Sequence, residues 1–165
     1  MVKVIEINIG FISEKTNEYP AFKPDGLRFK TSEKTIKLKT DHSYKIVIKT
    51  QPVIDFNFLD IDGIRIVLHP VQPAGSGEYT CTWNTTGIPI TNNNNRKDLI
   101  LILSGSGGSI ERTLQTKFYA ENDSHGSSGE KLETMIWRCS LDTYGTITVS
   151  EEIFKNKRLN VIQTK

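Results

Sequence analysis

Apolar and polar residues alternate in short runs along most of this chain, and turn-forming residues separate the runs at intervals of about ten residues. Side chains two positions apart lie on the same face of a strand, so each run predicts a strand with one face in a hydrophobic core. The pattern predicts an all-β protein, an antiparallel immunoglobulin-like β-sandwich or flattened barrel of about ten strands. The predicted strands are residues 2–9, 35–39, 44–49, 54–58, 64–68, 79–83, 99–103, 114–119, 132–139 and 146–149.

Three segments add detail to this pattern. Asp62-Gly63 is the strongest signal of a tight hairpin, which would join residues 54–58 to residues 64–68. Residues 99–103 read Leu-Ile-Leu-Ile-Leu and have no polar face, which predicts a central strand covered on both sides. Helix is predicted only for residues 151–158, where two glutamates follow a serine that would serve as the N-cap.

Composition and charge narrow the classes of function. With 165 residues, 36% hydrophobic and 24% charged, the chain is expected to be one globular domain. The net charge is +2, and the excess of basic residues in the first 50 positions is too mild for a general nucleic-acid binder. No segment reaches the roughly 20 apolar residues of a membrane span, and no secretory signal is present. Val2 excludes N-myristoylation, so we expect a cytoplasmic monomer that does not insert into membranes.

The two cysteines report on the redox environment. Cys81 and Cys139 each alternate with a tryptophan on an apolar face, which predicts reduced thiols buried in the core. An immunoglobulin-type disulfide is the alternative, because Tyr79-Thr80-Cys81 matches the second cysteine of such domains. No cysteine lies upstream to pair with Cys81 in that way.

The sequence predicts no catalytic site, no metal site and no cofactor. His42, His69 and His125 lie in predicted turns or loops, have no partner at metal-ligand spacing, and are expected to be solvated. The glycine-serine loop at residues 105–109 fits no nucleotide-binding fingerprint. A hydrolase whose site is assembled from several strands stays open as a weak third hypothesis.

Four motifs follow one another along the chain: the Asp-Gly-x-Arg-Phe turn at residues 25–29 with the Thr-Ile-Lys-Leu and Tyr-Lys that follow it, residues 77–87 (GEYTCTWNTTG), residues 115–119 (QTKFY) and residues 135–139 (MIWRC) followed by residues 147–154. In this order they resemble the cannabinoid receptor-interacting protein family. The resemblance covers residues 1–154, which are expected to form a single β-sandwich domain, while residues 155–165 are expected to be a basic tail. The run of four asparagines at residues 92–95 and the glycine-serine loop depart from the family pattern.

The resemblance implies a function without catalysis. Such a protein would bind the cytoplasmic C-terminal tail of a cannabinoid-type G-protein-coupled receptor and modulate its G-protein signalling. It would be cytoplasmic and recruited to the inner face of the plasma membrane through the receptor.

Residues 24–49 carry the candidate binding residues. Two turns bracket a strand whose apolar residues alternate with lysines, which predicts a β-ribbon with one dry face and one basic face. The basic face would dock an acidic or phosphorylated receptor tail. The alternative is an ordinary solvated strand face, whose lysines prevent edge pairing. The candidate residues for binding the receptor tail are Lys37, Lys39, Lys45 and Lys49, with Lys34 at the edge.

Aromatic residues on alternating strand positions support a second hypothesis. The simpler interpretation is a packed core, and the alternative is a gap between two sheets that admits an apolar chain. A sandwich of this size resembles the fold of Rho guanine-nucleotide dissociation inhibitors, which hold prenyl or acyl groups between their sheets. This weaker resemblance implies a carrier that shields the lipid chain of a G-protein, such as an acylated alpha subunit. The candidate lining residues are Phe56, Phe58, Tyr79, Trp83, Phe118 and Trp137.

Overall fold

Nearly every alternating run of the sequence forms a β-strand in the computed structural model, which describes residues 3–157. The all-β prediction is confirmed, because the described residues contain two short 3-10 turns, Gly26–Arg28 and Ser124–Ser127, and no α-helix. The strands are β1 (Lys3–Ser13), β2 (Ala21–Pro24), β3 (Lys34–Lys39), β4 (Ser43–Gln51), β5 (Phe58–Ile61), β6 (Ile64–Val67), β7 (His69–Pro70), β8 (Glu78–Asn84), β9 (Lys97–Gly105), β10 (Gly108–Tyr119), β11 (Glu130–Leu141) and β12 (Ile147–Asn156).

The strands form two layers that join into a flattened barrel. The first sheet has the order β12-β11-β1-β4-β8-β7, and the second sheet has the order β2-β3-β10-β9-β5-β6. The first residues of β11 also pair with β2, which connects the two sheets. The prediction of a wholly antiparallel fold was wrong at one place, because β3 and β10 run parallel. Two parallel neighbouring strands need a long connection. Between β3 and β10 the chain passes through the first sheet twice, as β4 and then as β7 and β8.

Side chains from the inner faces of both sheets fill the space between them. Trp83 is 1% exposed, and its ring lies 6.0 Å from the rings of Phe11 and Tyr44 and 6.3 Å from the ring of Phe118. Aromatic pairs at such separations add to the free energy gained by burial alone. The centre of the core is therefore closely packed around the tryptophan of β8.

The C-terminal helix predicted for residues 151–158 was wrong. Residues 151–156 are the second half of β12, which pairs with β11, and residue 158 lies outside the described residues. Glu152 accepts hydrogen bonds from Trp137 Nε1 at 2.8 Å and from Arg112 Nε at 3.0 Å. These long-range contacts, together with the ladder to β11, outweigh a short local signal for a helix N-terminus.

The strand predicted for residues 54–58 was also wrong over most of its length, because residues 54–57 are irregular and β5 begins at Phe58. Ile54 and Phe56 are buried as the alternation predicted. Their backbone groups, however, bond to a side chain: Tyr79 Oη donates to the carbonyl of Ile54 and accepts from the N–H of Phe56. The loop at residues 105–108 packs on this segment, and a Cβ on Gly107 would lie 2.7 Å from the nitrogen of Asp55.

The hairpin predicted at Asp62-Gly63 is confirmed, and both residues have positive φ, as the tight turn between β5 and β6 requires. The central position predicted for residues 99–103 is confirmed by the pairing of β9 with β5 and β10. Its predicted double burial was wrong: Leu99, Leu101 and Leu103 face the core, whereas Ile100 is 46% exposed. In the described part of the chain, no helix is long and apolar enough to cross a membrane.

Both cysteines are buried and free, which confirms their predicted burial. Cys81 lies on β8 and Cys139 on β11, with β4 and β1 between them. Three strand spacings alone amount to about 14 Å, twice the span of a disulfide. The cysteines are also offset along the strands, because Cys81 aligns with Phe11 of β1 and Cys139 with Ile5, so they are too far apart to pair. Burial raises the pKa of each thiol to about 11, so the reactive thiolate is scarce at neutral pH.

We therefore expect no reaction with a thiol reagent in the native protein and two equivalents after unfolding. The measurement is a colorimetric thiol titration with and without denaturant, in the absence of reductant. Rapid native labelling of either cysteine would contradict the buried positions.

Candidate functional site

The structure divides the four lysines predicted to bind a receptor tail between the two sheets. Lys37 and Lys39 lie on the outer face of β3, whereas Lys45 and Lys49 lie on the outer face of β4. The predicted β-ribbon was wrong, because the turn at residues 40–43 carries the chain from the second sheet to the first. The lysines alternate with core residues as predicted, but they form two separate surfaces.

Lys37 is buried rather than solvated. The segment at residues 124–128 lies over β3, and Lys37 Nζ donates to the carbonyl oxygens of His125 at 3.0 Å and Ser128 at 2.8 Å. The same ammonium donates to the Ser128 hydroxyl at 3.1 Å. With these contacts its three N–H groups all have acceptors, so Lys37 holds the loop in place and has no donor free for a ligand.

A broader basic surface surrounds Lys37 on the outer faces of three adjacent strands. Lys117 of β10 lies directly beside Lys37 in the parallel ladder, and Lys23 of β2 lies opposite Thr35 of β3. We call Lys23, Lys37, Lys39 and Lys117 the basic face. The sequence pattern predicts only the two members on β3, because alternation does not show that β2 and β10 are the neighbours of that strand.

A buried ion pair anchors one end of the basic face. The Arg96 guanidinium donates to both carboxylate oxygens of Asp25, at 2.9 and 3.2 Å, and its Nε also donates to the Thr35 hydroxyl at 3.0 Å. The Arg96 side chain is 4% exposed, that of Asp25 is 2% exposed, and Arg96 lies 4.4 Å from the ring centre of Phe29. Gln115 donates to the Thr35 hydroxyl at 2.9 Å and completes the network.

The titration behaviour of this region reflects burial and crowding of positive charges. Burial, followed by the charges of Lys23, Lys117 and Arg96, lowers the pKa of Lys37. Burial and the charges of Arg96 and Lys23 likewise lower the pKa of Lys117. Burial alone would raise the pKa of Asp25, but hydrogen bonds from Arg96 and Thr35 and the nearby charges hold it below its ordinary value. Mutual repulsion of the cations favours an anionic ligand on this face.

A histidine–serine pair lies beyond the other end of the basic face. His42 was predicted to be solvated, and this was wrong, because it is 5% exposed and its Nε2 lies 2.6 Å from Ser13 Oγ. Burial lowers the pKa of His42, although the charge of Glu121 opposes the shift. His42 Nδ1 is 3.7 Å from Glu121 Oε1, which is longer than a hydrogen bond. His69 and His125 are exposed, as predicted.

A small cavity of about 30 Å³ opens beside this pair. It lies where the chain crosses between the sheets twice, from β1 to β2 and from β3 to β4. We call it the seam cavity. Its lining includes Ser13, Lys39, His42, Tyr44, Gly126 and Lys131.

The six aromatic residues proposed to line an acyl pocket are placed in or beside the packed core. Tyr79, Trp83, Phe118 and Trp137 are between 0 and 6% exposed, and the rings of Phe56 and Tyr79 pack edge to face. Phe58 is half-buried beneath Arg65, 4.7 Å from its guanidinium. Among residues 3–157, none of the six lines the seam cavity or any of the four larger grooves, whose lining residues fall within 133–157, 14–82, 60–111 and 109–149.

Within residues 3–157 no three of the His, Cys, Asp and Glu side chains are grouped so that they would hold a metal ion. Lys37 and Lys39 of β3 contribute to both the basic face and the seam cavity. The face and the cavity both offer ammonium and hydroxyl donors, which suits the binding of an anion.

The family model described as CB1 cannabinoid receptor-interacting protein 1 matches residues 1–154. The chain belongs to this family. It is similar to the human (Homo sapiens) protein of that name, with 29% identity over 146 residues that cover 84% of this chain and 88% of the relative. The rat (Rattus norvegicus) protein of the same name is 26% identical over 158 residues, covering 92% of this chain and 96% of the relative. The mouse (Mus musculus) protein is 29% identical over 146 residues.

The family resemblance drawn from the sequence motifs is thereby confirmed. The matched range contains β1 to β11 and most of β12, so the basic face and the seam cavity both lie inside it. The division between residues 1–154 and a basic tail from residue 155 stays a prediction, and residues 158–165 lie outside the described residues.

Proposed function

We propose that this protein is a non-enzymatic adaptor that binds the cytoplasmic C-terminal tail of a cannabinoid-type G-protein-coupled receptor and modulates its G-protein signalling. The name of its relatives, CB1 cannabinoid receptor-interacting protein 1, supports a cannabinoid receptor as the partner. The observation that carries the choice of surface is the clustering of four lysines on three adjacent strands. In this proposal the protein is cytoplasmic and the receptor recruits it to the inner face of the plasma membrane.

The basic face suits an acidic segment of such a tail. Lys39 has no carboxylate within 4.0 Å and no hydrogen-bond acceptor for its ammonium among residues 3–157. Within the described residues, Lys117 donates only to the carbonyl oxygen of Asn93. Lys23 lies 3.6 Å from the carboxylate of Asp25, which Arg96 already neutralises. A bound acidic peptide would relieve the repulsion between these ammonium groups. Lys37 contributes positive charge from beneath the surface without contacting the peptide.

The first test compares charge reversals on the two sheets. We expect the double variant Lys23→Glu with Lys117→Glu to bind a synthetic peptide of the human CB1 receptor tail about tenfold more weakly, because each exposed ion pair contributes up to about 1 kcal/mol. The matched control is Lys45→Glu with Lys49→Glu on β4, which should bind like the wild type. Calorimetric titration at low and high salt measures the affinities, and the difference should shrink as salt screens the charges.

The control variant also tests the prediction that Lys45 and Lys49, on the first sheet, bind the receptor tail. If Lys45→Glu with Lys49→Glu weakens binding and the β2–β10 variant does not, the tail binds to the first sheet. Thermal unfolding of both variants checks that neither change acts through loss of folding.

The acyl-chain carrier stays a prediction that no observation favours. Two pairs of its candidate lining residues, Phe56 with Tyr79 and Trp83 with Phe118, pack ring against ring, and burying a lipid chain there would require the core to open. We therefore propose the tail-binding adaptor alone.

A further inference from the structure

The seam cavity is small, polar and rich in donors. A cavity needs about 10–15 Å³ to hold one water, so a volume of about 30 Å³ accommodates two water-sized groups. The two oxygens of a carboxylate have this size. A phosphate group, with three terminal oxygens and a second negative charge, is larger, and Glu18 at the lining would repel its extra charge.

Three side chains that line the cavity have N–H or O–H groups that donate no hydrogen bond within the described residues. Tyr44 Oη accepts a hydrogen bond from the N–H of Lys39 at 2.8 Å, and its own O–H has no acceptor among residues 3–157. Burial raises the pKa of Tyr44 to about 12, so this hydroxyl stays protonated. The Lys39 ammonium is likewise without an acceptor in the described part of the chain, and Lys131 Nζ donates only to the carbonyl oxygen of Ser127, at 3.1 Å.

The walls of the cavity favour the end of a chain over its middle. The segment after β1, including Thr16 and Tyr19, forms one wall, and Gly126 and Ser127 of the 3-10 turn form another. Gly126 packs closely on Tyr119, since a Cβ on Gly126 would lie 2.9 Å from that side chain. A side-chain carboxylate in the middle of a peptide has backbone on both sides, and to enter the cavity that backbone would have to pass over both walls. A C-terminal carboxylate has backbone on one side only, so it can enter without crossing the second wall.

We propose that the seam cavity receives the free C-terminal carboxylate of the bound peptide, held by Lys39, Lys131 and the Tyr44 hydroxyl. The proposal rests on the proposed tail-binding function and adds the point at which the tail ends. The rest of the peptide then runs across the basic face, whose Lys39 belongs to both surfaces. Recognition of a chain terminus makes binding depend on where the peptide stops and not only on its charge.

The test is a thermodynamic cycle with two forms of the human CB1 tail peptide, one ending in a free carboxylate and one in a carboxamide. We expect the amide to bind wild-type protein about tenfold more weakly, since a hydrogen bond to a charged group is worth more than a neutral one. In Lys39→Gln the acid and amide forms should differ by much less, while Lys45→Gln should keep the full difference. Lengthening the acid peptide beyond its natural terminus should weaken binding in the same way as amidation.

Equal affinities of the acid and amide peptides for the wild type would overturn the proposal and leave tail binding intact. The proposal would also be overturned if the Lys39→Gln variant kept the full difference in affinity between the acid and amide peptides. If neither peptide binds, the proposed function fails. The cavity is then tested separately with N-acetylglycine, a minimal probe with a free C-terminal carboxylate. Amide NMR shifts at Lys39, Tyr44 and Gly126 with N-acetylglycine, absent with its carboxamide, support the site, and unchanged spectra overturn it.

Discussion

Replacing Arg96 with alanine is expected to lower the free energy of unfolding by about 3–5 kcal/mol, because it leaves a buried carboxylate without its partner. Asp25 is almost inaccessible to water, and Arg96 supplies both of its charged hydrogen bonds. Urea unfolding followed by tryptophan fluorescence gives the change. The control is Arg65→Ala, which breaks the Arg65–Asp60 pair, and the Arg65 side chain there is 59% exposed. That substitution should cost far less than Arg96→Ala, because water and salt screen an exposed ion pair.

The dependence on pH provides a second readout. The pKa of Asp25 is lower in the folded protein than its ordinary value of 3.8, so the unfolded chain binds the proton more readily. The stabilisation is therefore complete above the ordinary pKa and is lost as pH falls through the folded pKa. Because Arg96→Ala removes this stabilisation at neutral pH, the difference between the two proteins should narrow at acid pH. A difference that is small at neutral pH would contradict the buried ion pair.

Replacing Phe118 with alanine is expected to cost about 3–5 kcal/mol, because the side chain is removed from a closely packed core. Phe118 is 0% exposed, and its ring lies 6.3 Å from that of Trp83. Phe58→Ala is the matched control. Because Phe58 is half-buried, this substitution should lower the free energy of unfolding clearly less. Both residues were predicted to line an acyl pocket, so the pair tests that hypothesis as well as the packing.

A cost below about 1 kcal/mol for Phe118→Ala would contradict a filled core, because removing a side chain that borders an empty pocket forfeits fewer contacts. Tighter binding of an acylated than of a bare tail peptide would then favour the lipid carrier. With the core packed as the structure has it, both peptides should bind with equal affinity.

The sequence predicted local structure well because a strand's alternation is a property of its own residues. The inward Ile36 and Leu38 and the outward Lys37 and Lys39 were all predicted from a period of two. Alternation gives no information about which strand lies beside β3, since any strand with an apolar face satisfies the same pattern. The prediction of a β-ribbon was wrong for this reason, because the second strand of the predicted ribbon, β4, belongs to the other sheet.

The candidate site was predictable only in part for the same reason. Arg96 and Asp25 are 71 residues apart, and Ser13 and His42 are 29 residues apart. Neither pair has a local motif, and each forms only because loops fold back over the sheet ends. Lys37 was predicted to face outward, but a loop almost 90 residues later covers it. Charge patterning thus identified a basic strand, whereas the accessible surface required the tertiary structure.

The central claim is that a receptor tail binds across β2, β3 and β10, and chemical-shift mapping by NMR tests it most directly. Titrating isotope-labelled protein with the human CB1 tail peptide should give its largest amide shifts in β2, β3, the last residues of β10 and the segment at residues 124–128. Amides of β8, and of β4 from residue 46 onward, should stay within the noise of the titration. Large shifts confined to the outer face of β4 and β8, or no shifts at saturating peptide concentrations, would contradict the account.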